Sequence, residues 1–436
     1  MNAFVWRITA RSRRLLALGI VLLAGGSLVA AREFNWVPNS FEVVWQQQQQ
    51  SPRPAKTLQP EEEGHRIAVG EKSAFAKWIE SEGLPIYTGY VVDDVTKVDL
   101  EPWKRLGVAG ATVYLNGDGG QMSGYIMEIA PGRAMEPEKH LYEEHTLVLS
   151  GSGETRVWHE GKPKVTGKWQ KGSLFSVPLN AWHQHVNTGR ETIRLIAVTN
   201  APLMIDLFRN PDFIFRNPFR FTDRFDSQAD FYKLEPQKTV PGEGRRHGFS
   251  ITNIVPDVYS VNLHPAGHGI VGEGVETRDH HFEMSSDTLD AHVEEYQSGV
   301  YEQAHKHGAG DNVLMLRGTG YSLMWPASLG EKPFATGQGD KVVRVDWHAM
   351  TLFVPPLGWY HQHFNTGKTP ARFVKLDGWE NRVFPLTSKF TFNQTALSIE
   401  YKNEDPKIRE VYEVELMKAG TPLRMPPAEQ LHGHKH

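Results

Sequence analysis

Between Ile67 and Tyr401 the apolar residues come in short bursts. "ATVYL", "GYIMEIA", "HTLVLSG", "TIRLIAV", "NVLMLRG", "TLFVPP" and "ARFVKL" are separated by Gly, Pro, Asn and Asp. Runs of this length bounded by turn formers predict strands, and their close succession predicts a sandwich or barrel. Helical periodicity is scarce. The clearest case is "DPKIREVYEVELMKAG", where Ile408, Val411, Tyr412 and Leu416 recur at helical spacing ahead of Gly420, so a helix is expected over 405–420.

Inside this pattern one octapeptide occurs twice, as "WHQHVNTG" from Trp182 and as "YHQHFNTG" from Tyr360. The agreement extends upstream. Gly299, His305, His307, Asp311 and Gly318 stand at the same mutual spacings as Gly132, Glu138, His140, Glu144 and Gly151. Downstream, Arg194 and Arg372 follow their octapeptides at equal distance, each inside an apolar strand. The repeated unit is therefore a domain.

The spacing has a physical reading. Residues two apart on a strand point to the same face, so His305 and His307 project together, as do Glu138 and His140. Asp311 and Glu144 keep the same even register. A later strand brings His361, or His183, across to close the set. Three imidazoles with one carboxylate make a site for a first-row transition metal with coordination positions left open.

These residues resemble the cupin superfamily, whose first motif is G-x5-H-x-H-x3-4-E-x6-G and whose second is G-x5-P-x-G-x2-H-x3-N. The second repeat carries the first motif at Gly299, His305, His307, Asp311 and Gly318, and the second at Pro356, Gly358, His361 and Asn365. The first repeat carries them at Gly132, Glu138, His140, Glu144 and Gly151, then Gly172, Pro178, Asn180, His183 and Asn187. The resemblance implies an all-β bicupin, two jelly-roll (double-stranded β-helix) barrels followed by a C-terminal helix. It suggests cupin domains at 67–205 and 251–401, an interdomain segment at 206–250, and a C-terminal helix with a His-rich tail at 402–436. It also implies a divalent transition metal, iron or manganese first, with zinc, nickel and copper as alternatives.

Two departures bear on the sites. Asp311 is one methylene shorter than the motif's glutamate, so its carboxylate is expected to sit back from the metal. Glu138 replaces the first histidine, leaving two carboxylates and two imidazoles in the first barrel. Without a metal, two inward carboxylates should repel, and one should take up a proton at a raised pKa. That barrel is read either as a harder-ion site or as a relict that only packs.

Other residues admit two readings each. His185 and His363 lie two beyond a ligand and face the same interior, either as hydrogen-bond donors or acid-base groups behind the ligands or as core histidines. Tyr142 lines the cavity or packs. Arg194 and Arg372 anchor an anionic substrate or make structural pairs. "DHHFEM" (Asp279 to Met284) and the tail "HGHKH" read as exposed loops.

Composition narrows the functions. The 436 residues are 39% hydrophobic and 22% charged, which is globular and large enough for two domains. A net charge of -4 gives no basic field for nucleic acid. With 0 cysteines and 20 histidines, any metal chemistry falls to imidazole and carboxylate. The first fourteen residues hold four arginines and no acid, and Leu15 to Ala31 then run without a charge. Residues 1–31 thus resemble an export signal or membrane anchor, with "SRRLL" like a twin-arginine motif, and 32–66 reads as a flexible linker. The expected location is the periplasm, free or anchored to the inner membrane through 15–31; an oligomer is compatible with the composition.

The reaction is not selected by fold or ligands. The leading expectation is a dioxygenase acting on a chelating aromatic or enolic small molecule, with His363 or Asp311 accepting the substrate proton and Trp182, Trp359, Tyr360 and Phe364 forming an apolar pocket. The alternatives are a non-catalytic exported metal-binding cupin, and a decarboxylase or lyase of a small carboxylic acid.

Overall fold

The computed structural model describes residues 72–427 except 237, 242–247, 266–276, 308–310 and 379–397, together with 46–47, 54 and 56. The proposed signal, most of the linker and the "HGHKH" tail lie outside the described residues. Within the linker, Gln46–Gln47 pairs in parallel with Val343 and Arg344. No helix among the described residues is long and apolar enough to cross a membrane.

Each repeat folds into a large sheet facing a small one. In the first, Leu174–Val177, Glu144–Ser150, Ile193–Thr199, Ser123–Ile129 and Val108–Val113 lie side by side, opposite Trp182–Val186, Ser152–Trp158 and Val165–Gln170. In the second, Leu352–Phe353, Asn312–Arg317, Ala371–Gly378, Leu289–Tyr296 and Thr277–Glu283 form the large sheet, and Val343–Trp347, Gly320–Pro326 and Trp359–Asn365 belong to the small one. The fold is two jelly-roll barrels.

The repeats exchange edge strands. Val91–Val92, from ahead of the first barrel, pairs with Leu352 and Phe353 of the second. Ile254–Val255, from ahead of the second, pairs with Leu174 and Phe175 of the first. Both straps then return to their own barrel and are clasped there: Arg194 donates to the carbonyls of Thr96 and Val98, and Arg372 to those of Tyr259 and Val261. The two arginines are therefore structural clasps with no part in a substrate site. Between the barrels, Leu147, Leu149, Ile196 and Val198 share one apolar layer with Ala291, Val293, Val374 and Leu376.

The C-terminal helix spans Pro406–Ala419, capped by Asp405 and ended by Gly420 at φ 64°. Its buried stripe is Ile408, Val411, Tyr412 and Leu416. Tyr412 and Tyr301 contact Phe364, which stacks on Tyr321, so this helix seals the outer face of the small sheet. Gly320 sits where the ligand strand crosses, because a Cβ there would lie 2.0 Å from the Phe364 carbonyl oxygen; Gly153 meets Val186 likewise at 2.4 Å.

Candidate metal centres

In the second barrel the first and last histidines of the motif are direct cross-strand partners. The backbone amide of His305 donates to the His361 carbonyl at 3.0 Å, and that of His361 donates back at 2.8 Å. His307 joins from two residues on, and the three imidazoles bring one nitrogen each within 4.8 Å of one another. Glu138 and His183 exchange the same pair of backbone bonds in the first barrel, at 3.1 and 2.8 Å, so Glu138 occupies the place of His305. Glu138, His140 and His183 form a second mutually close group, and Glu144 joins His183 and His185 in a third.

The tautomers suit a metal. Nδ1 of His305 faces the Gln303 carbonyl at 3.0 Å, that of His361 the Trp359 carbonyl at 3.2 Å, and that of His140 the Tyr142 carbonyl at 2.8 Å. A carbonyl only accepts, so each Nδ1 carries the hydrogen and each Nε2 presents a lone pair inward. Nε2 of His183 and of His361 is buried and has no hydrogen-bond partner. Burial, with the neighbouring imidazoles adding to it, holds His305 and His361 well below the usual histidine range and His183 at about 4. Neutral imidazoles facing ionised carboxylates are the protonation states that a divalent transition ion requires.

The carboxylates differ between the barrels. Asp311 lies 3.2 Å from Nε2 of His307 and 3.8 Å from the Lys375 ammonium. Burial would raise it, but His307 and Lys375 outweigh burial and hold it far below the usual range. Glu144 accepts from Tyr125 at 2.6 Å and Thr146 at 2.9 Å and lies 3.4 Å from His140. Burial raises Glu144 too, and the imidazoles of His140, His185 and His183 around it carry it well below the carboxylate range.

The expected proton on one of the first barrel's carboxylates is not found. Arg105 reaches Glu138 and also bonds Glu82, so Glu138, despite burial, ends below its ordinary pKa. The Arg105 guanidinium sits against Trp78, Trp103 and Phe215, each within 5.7 Å of its ring centre. Tyr142 lies flat on His140, with ring centres 3.6 Å apart. All four donors of this barrel are buried, whereas His307 in the second is partly open to solvent.

His185 and His363 are held as a matched pair. Trp169 donates to Thr155 Oγ1, which stands 2.8 Å from Nδ1 of His185; Trp347 donates to Ser322 Oγ, which stands 2.7 Å from Nδ1 of His363. An indole only donates, so each hydroxyl accepts from it and gives its own hydrogen to Nδ1. On the other side of each ring Nε2 faces a carboxylate without a hydrogen bond to it, His185 at 3.9 Å from Glu144 and His363 at 3.5 Å from Glu302. Burial and Lys375 bring His363 down to about 3. Both residues expected to take up a substrate proton stand at the second centre, Asp311 at 3.2 Å from His307 and His363 at 3.5 Å from Glu302.

The barrel interior is charged where an apolar pocket was expected. Tyr360 and Phe364 alternate with His361 and His363 and so point to the opposite face, into the layer beneath the C-terminal helix. Trp182 stacks on Trp158 and Trp359 meets Tyr90, both only half-buried. Inside stand Lys375, 3.1 Å from Glu294, and Glu302, which accepts from Tyr296. "DHHFEM" is likewise no exposed loop. Asp279 and His280 are buried on strand Thr277–Glu283, and His281 stacks on His292 with ring centres 4.4 Å apart.

Sequence reasoning did not single out Arg105, Lys375, Glu294, Glu302 or Asp118. Asp118, from the first half of the chain, accepts from Asn312 at 2.8 Å beside the second centre. Glu302 had a faint signal, as an acid three residues ahead of the first ligand. The others come from distant parts of the chain and carry no local mark.

Fold and site define a double barrel with an imidazole and carboxylate centre in each half, of the kind that holds a divalent transition metal. Residues 125–199, within the first barrel, match the cupin domain model, and the second barrel repeats the sheet arrangement of the first. No match was found among curated proteins. Solved structures similar to it include an oxalate decarboxylase of Bacillus subtilis, at 14% identity over 66% of this chain and 76% of that one with a TM-score of 0.41. An oxalate decarboxylase of Lactobacillus farciminis in a formate complex matches at 14% identity over 68% and 87%, with a TM-score of 0.42.

Proposed function

We propose that the protein is a metal-dependent enzyme acting on a small carboxylic acid, as a decarboxylase or related lyase, with the second barrel as the reactive one. The observation that carries this is Glu302. Burial raises this carboxyl to about 8 inside a barrel that also holds Lys375, Glu294 and Asp311. A carboxyl that keeps its proton at neutral pH is a proton donor.

His305, His307 and His361 would hold the ion, with Asp311 at the side of His307. When bound, the ion supplies a Lewis acid for a coordinated substrate oxygen. Lys375 attracts the anionic substrate inward. Glu302 delivers the proton that replaces lost carbon dioxide, while the Tyr296 hydroxyl, donating to it, holds its carboxyl in place. Dioxygen chemistry on an aromatic or enolic compound has less support, because the aromatic residues expected to form its pocket face away from the ligands.

The experiment offers short mono- and dicarboxylic acids to the metal-loaded protein and follows carbon dioxide and dioxygen together. Carbon dioxide release without matching oxygen uptake, lost on chelation, is expected. Oxygen consumption with a catechol or enol and no turnover of any acid overturns the reading. We also infer, from the arginines preceding the uncharged run Leu15 to Ala31, that the folded part works outside the cytoplasm.

A further inference from the structure

Eight large apolar side chains among the described residues are exposed, and five of them lie between residues 207 and 234: Leu207 at 67%, Phe208 at 42%, Phe213 at 41%, Phe219 at 59% and Leu234 at 58%. The first four belong to a strap made of helices Ala201–Phe208 and Pro211–Arg216 and the turn after them. Arg209, Arg216 and Arg220 are exposed between them. Asp212 pairs with Arg216 at 3.3 Å, and the stretch from Leu207 to Arg220 contains no other acid.

The strap is held from below. Ile214 accepts from the Leu141 amide at 3.1 Å, Asn180 donates to the Phe219 carbonyl at 2.7 Å, and Ile205 and Ile214 are fully buried. The exposed rings are thus carried on a fixed backbone. The N-terminal helix of the fold, Ala74–Glu82, packs against the same strap: the Phe75 amide donates to Asp206 at 2.7 Å, and Trp78 meets Phe215 at 5.5 Å between ring centres. On the way from the uncharged run Leu15 to Ala31 the chain pairs at Gln46–Gln47 with Val343 and Arg344 of the second barrel, and the helix at Ala74 then packs beside this patch.

We propose that this face docks on the surface of an anionic lipid bilayer, with Leu207, Phe208, Phe213 and Phe219 seated at the headgroup boundary and Arg209, Arg216 and Arg220 on lipid phosphates. Rings and arginines side by side are the composition of an interfacial contact. A second copy fits less well, because a two-fold contact sets the same patch against itself and brings the excess arginine charge together. The proposal rests on the reading that the N-terminal run reaches a membrane.

The chain has 0 cysteines, so a single introduced thiol is unique. Full-length Phe219→Cys and, as control, Lys332→Cys on an exposed loop of the second barrel are labelled with a polarity-sensitive fluorophore and mixed with phosphatidylglycerol and phosphatidylethanolamine vesicles. The expected result is a blue shift and quenching by brominated lipid at position 219, with neither at position 332. If the protein floats with the vesicles while both labels stay in water, the N-terminal run alone binds and the docking face is lost. A shift at 219 that follows protein concentration without vesicles assigns the face to a second copy and overturns the proposal. Failure to float at all removes the membrane reading together with it.

Discussion

Ser322 Oγ stands 2.7 Å from Nδ1 of His363, and Thr155 holds His185 in the same way at 2.8 Å in the other barrel. Each hydroxyl also accepts from a buried indole. Ser322→Ala leaves the Trp347 N–H and the imidazole without this partner, at a cost of about 1–3 kcal/mol. Ser322→Thr should cost well under half of that, because threonine already serves in the first barrel. Urea midpoints of the two variants measure the difference. Equal losses would show that volume matters there and the hydroxyl does not.

Metal content separates the barrels. His305→Ala combined with His361→Ala removes two of three imidazole donors and should lower bound metal by about one equivalent on elemental analysis. Glu138→Gln should leave that equivalent in place and affect the first barrel alone. Catalysis should follow His305, His307 and His361. Turnover abolished by Glu138→Gln and barely changed by His361→Ala would make the first barrel the active one.

If Glu302 is the proton donor proposed above, it should set the pH dependence of turnover. Its proton is held up to about 8, so the donor form is present at neutral pH, and the rate should fall as pH rises through that value. Glu302→Gln should lower kcat by about 100-fold or more, as expected for loss of a general acid, and remove the alkaline limb. Its metal content should stay that of the parent. A variant with an unchanged pH profile would show that the proton comes from elsewhere.

Glu404 sets a different pH dependence, that of stability. Its carboxyl is buried, accepts from Gln362 at 2.7 Å and Tyr301 at 2.8 Å, and is raised to about 7 from 4.5. A raised carboxyl means that the folded state binds more protons than the unfolded one between those values. Stability therefore falls as pH rises from about 4.5 to 7, by on the order of 2–3 kcal/mol. Glu404→Gln cannot ionise, and its carbonyl can accept from Gln362 while its amide N–H donates to the Tyr301 hydroxyl. Its Tm should decline less than the parent's between pH 5 and 8, and parallel curves would remove Glu404 as the cause.

Export is open to a simple check. Replacing Arg13 and Arg14 with lysine should block delivery outside the cytoplasm if the twin-arginine route is used. Normal delivery of the variant, followed by fractionation, would point to the general secretory route.

The sequence by itself determined the repeat, the barrels and which imidazoles and carboxylates face inward together. A strand turns alternate residues to one face, so His305 with His307, and Glu138 with His140, were legible from spacing alone. The helix after Asp405 was equally legible, since its four apolar positions recur at 3.6 residues and are the four that it buries. Tertiary structure decided what surrounds those ligands. Arg105 meets Glu138 across 33 positions of chain, and Lys375 meets Glu294 from a neighbouring strand. The exchange of Val91–Val92 and Ile254–Val255 between barrels leaves no mark in either short run. Local spacing says which way a side chain points. The protonation of Glu302, the capping of His363 and the turning of Phe364 toward the helix depend on burial and on distant neighbours, and those exist only once the barrels have closed.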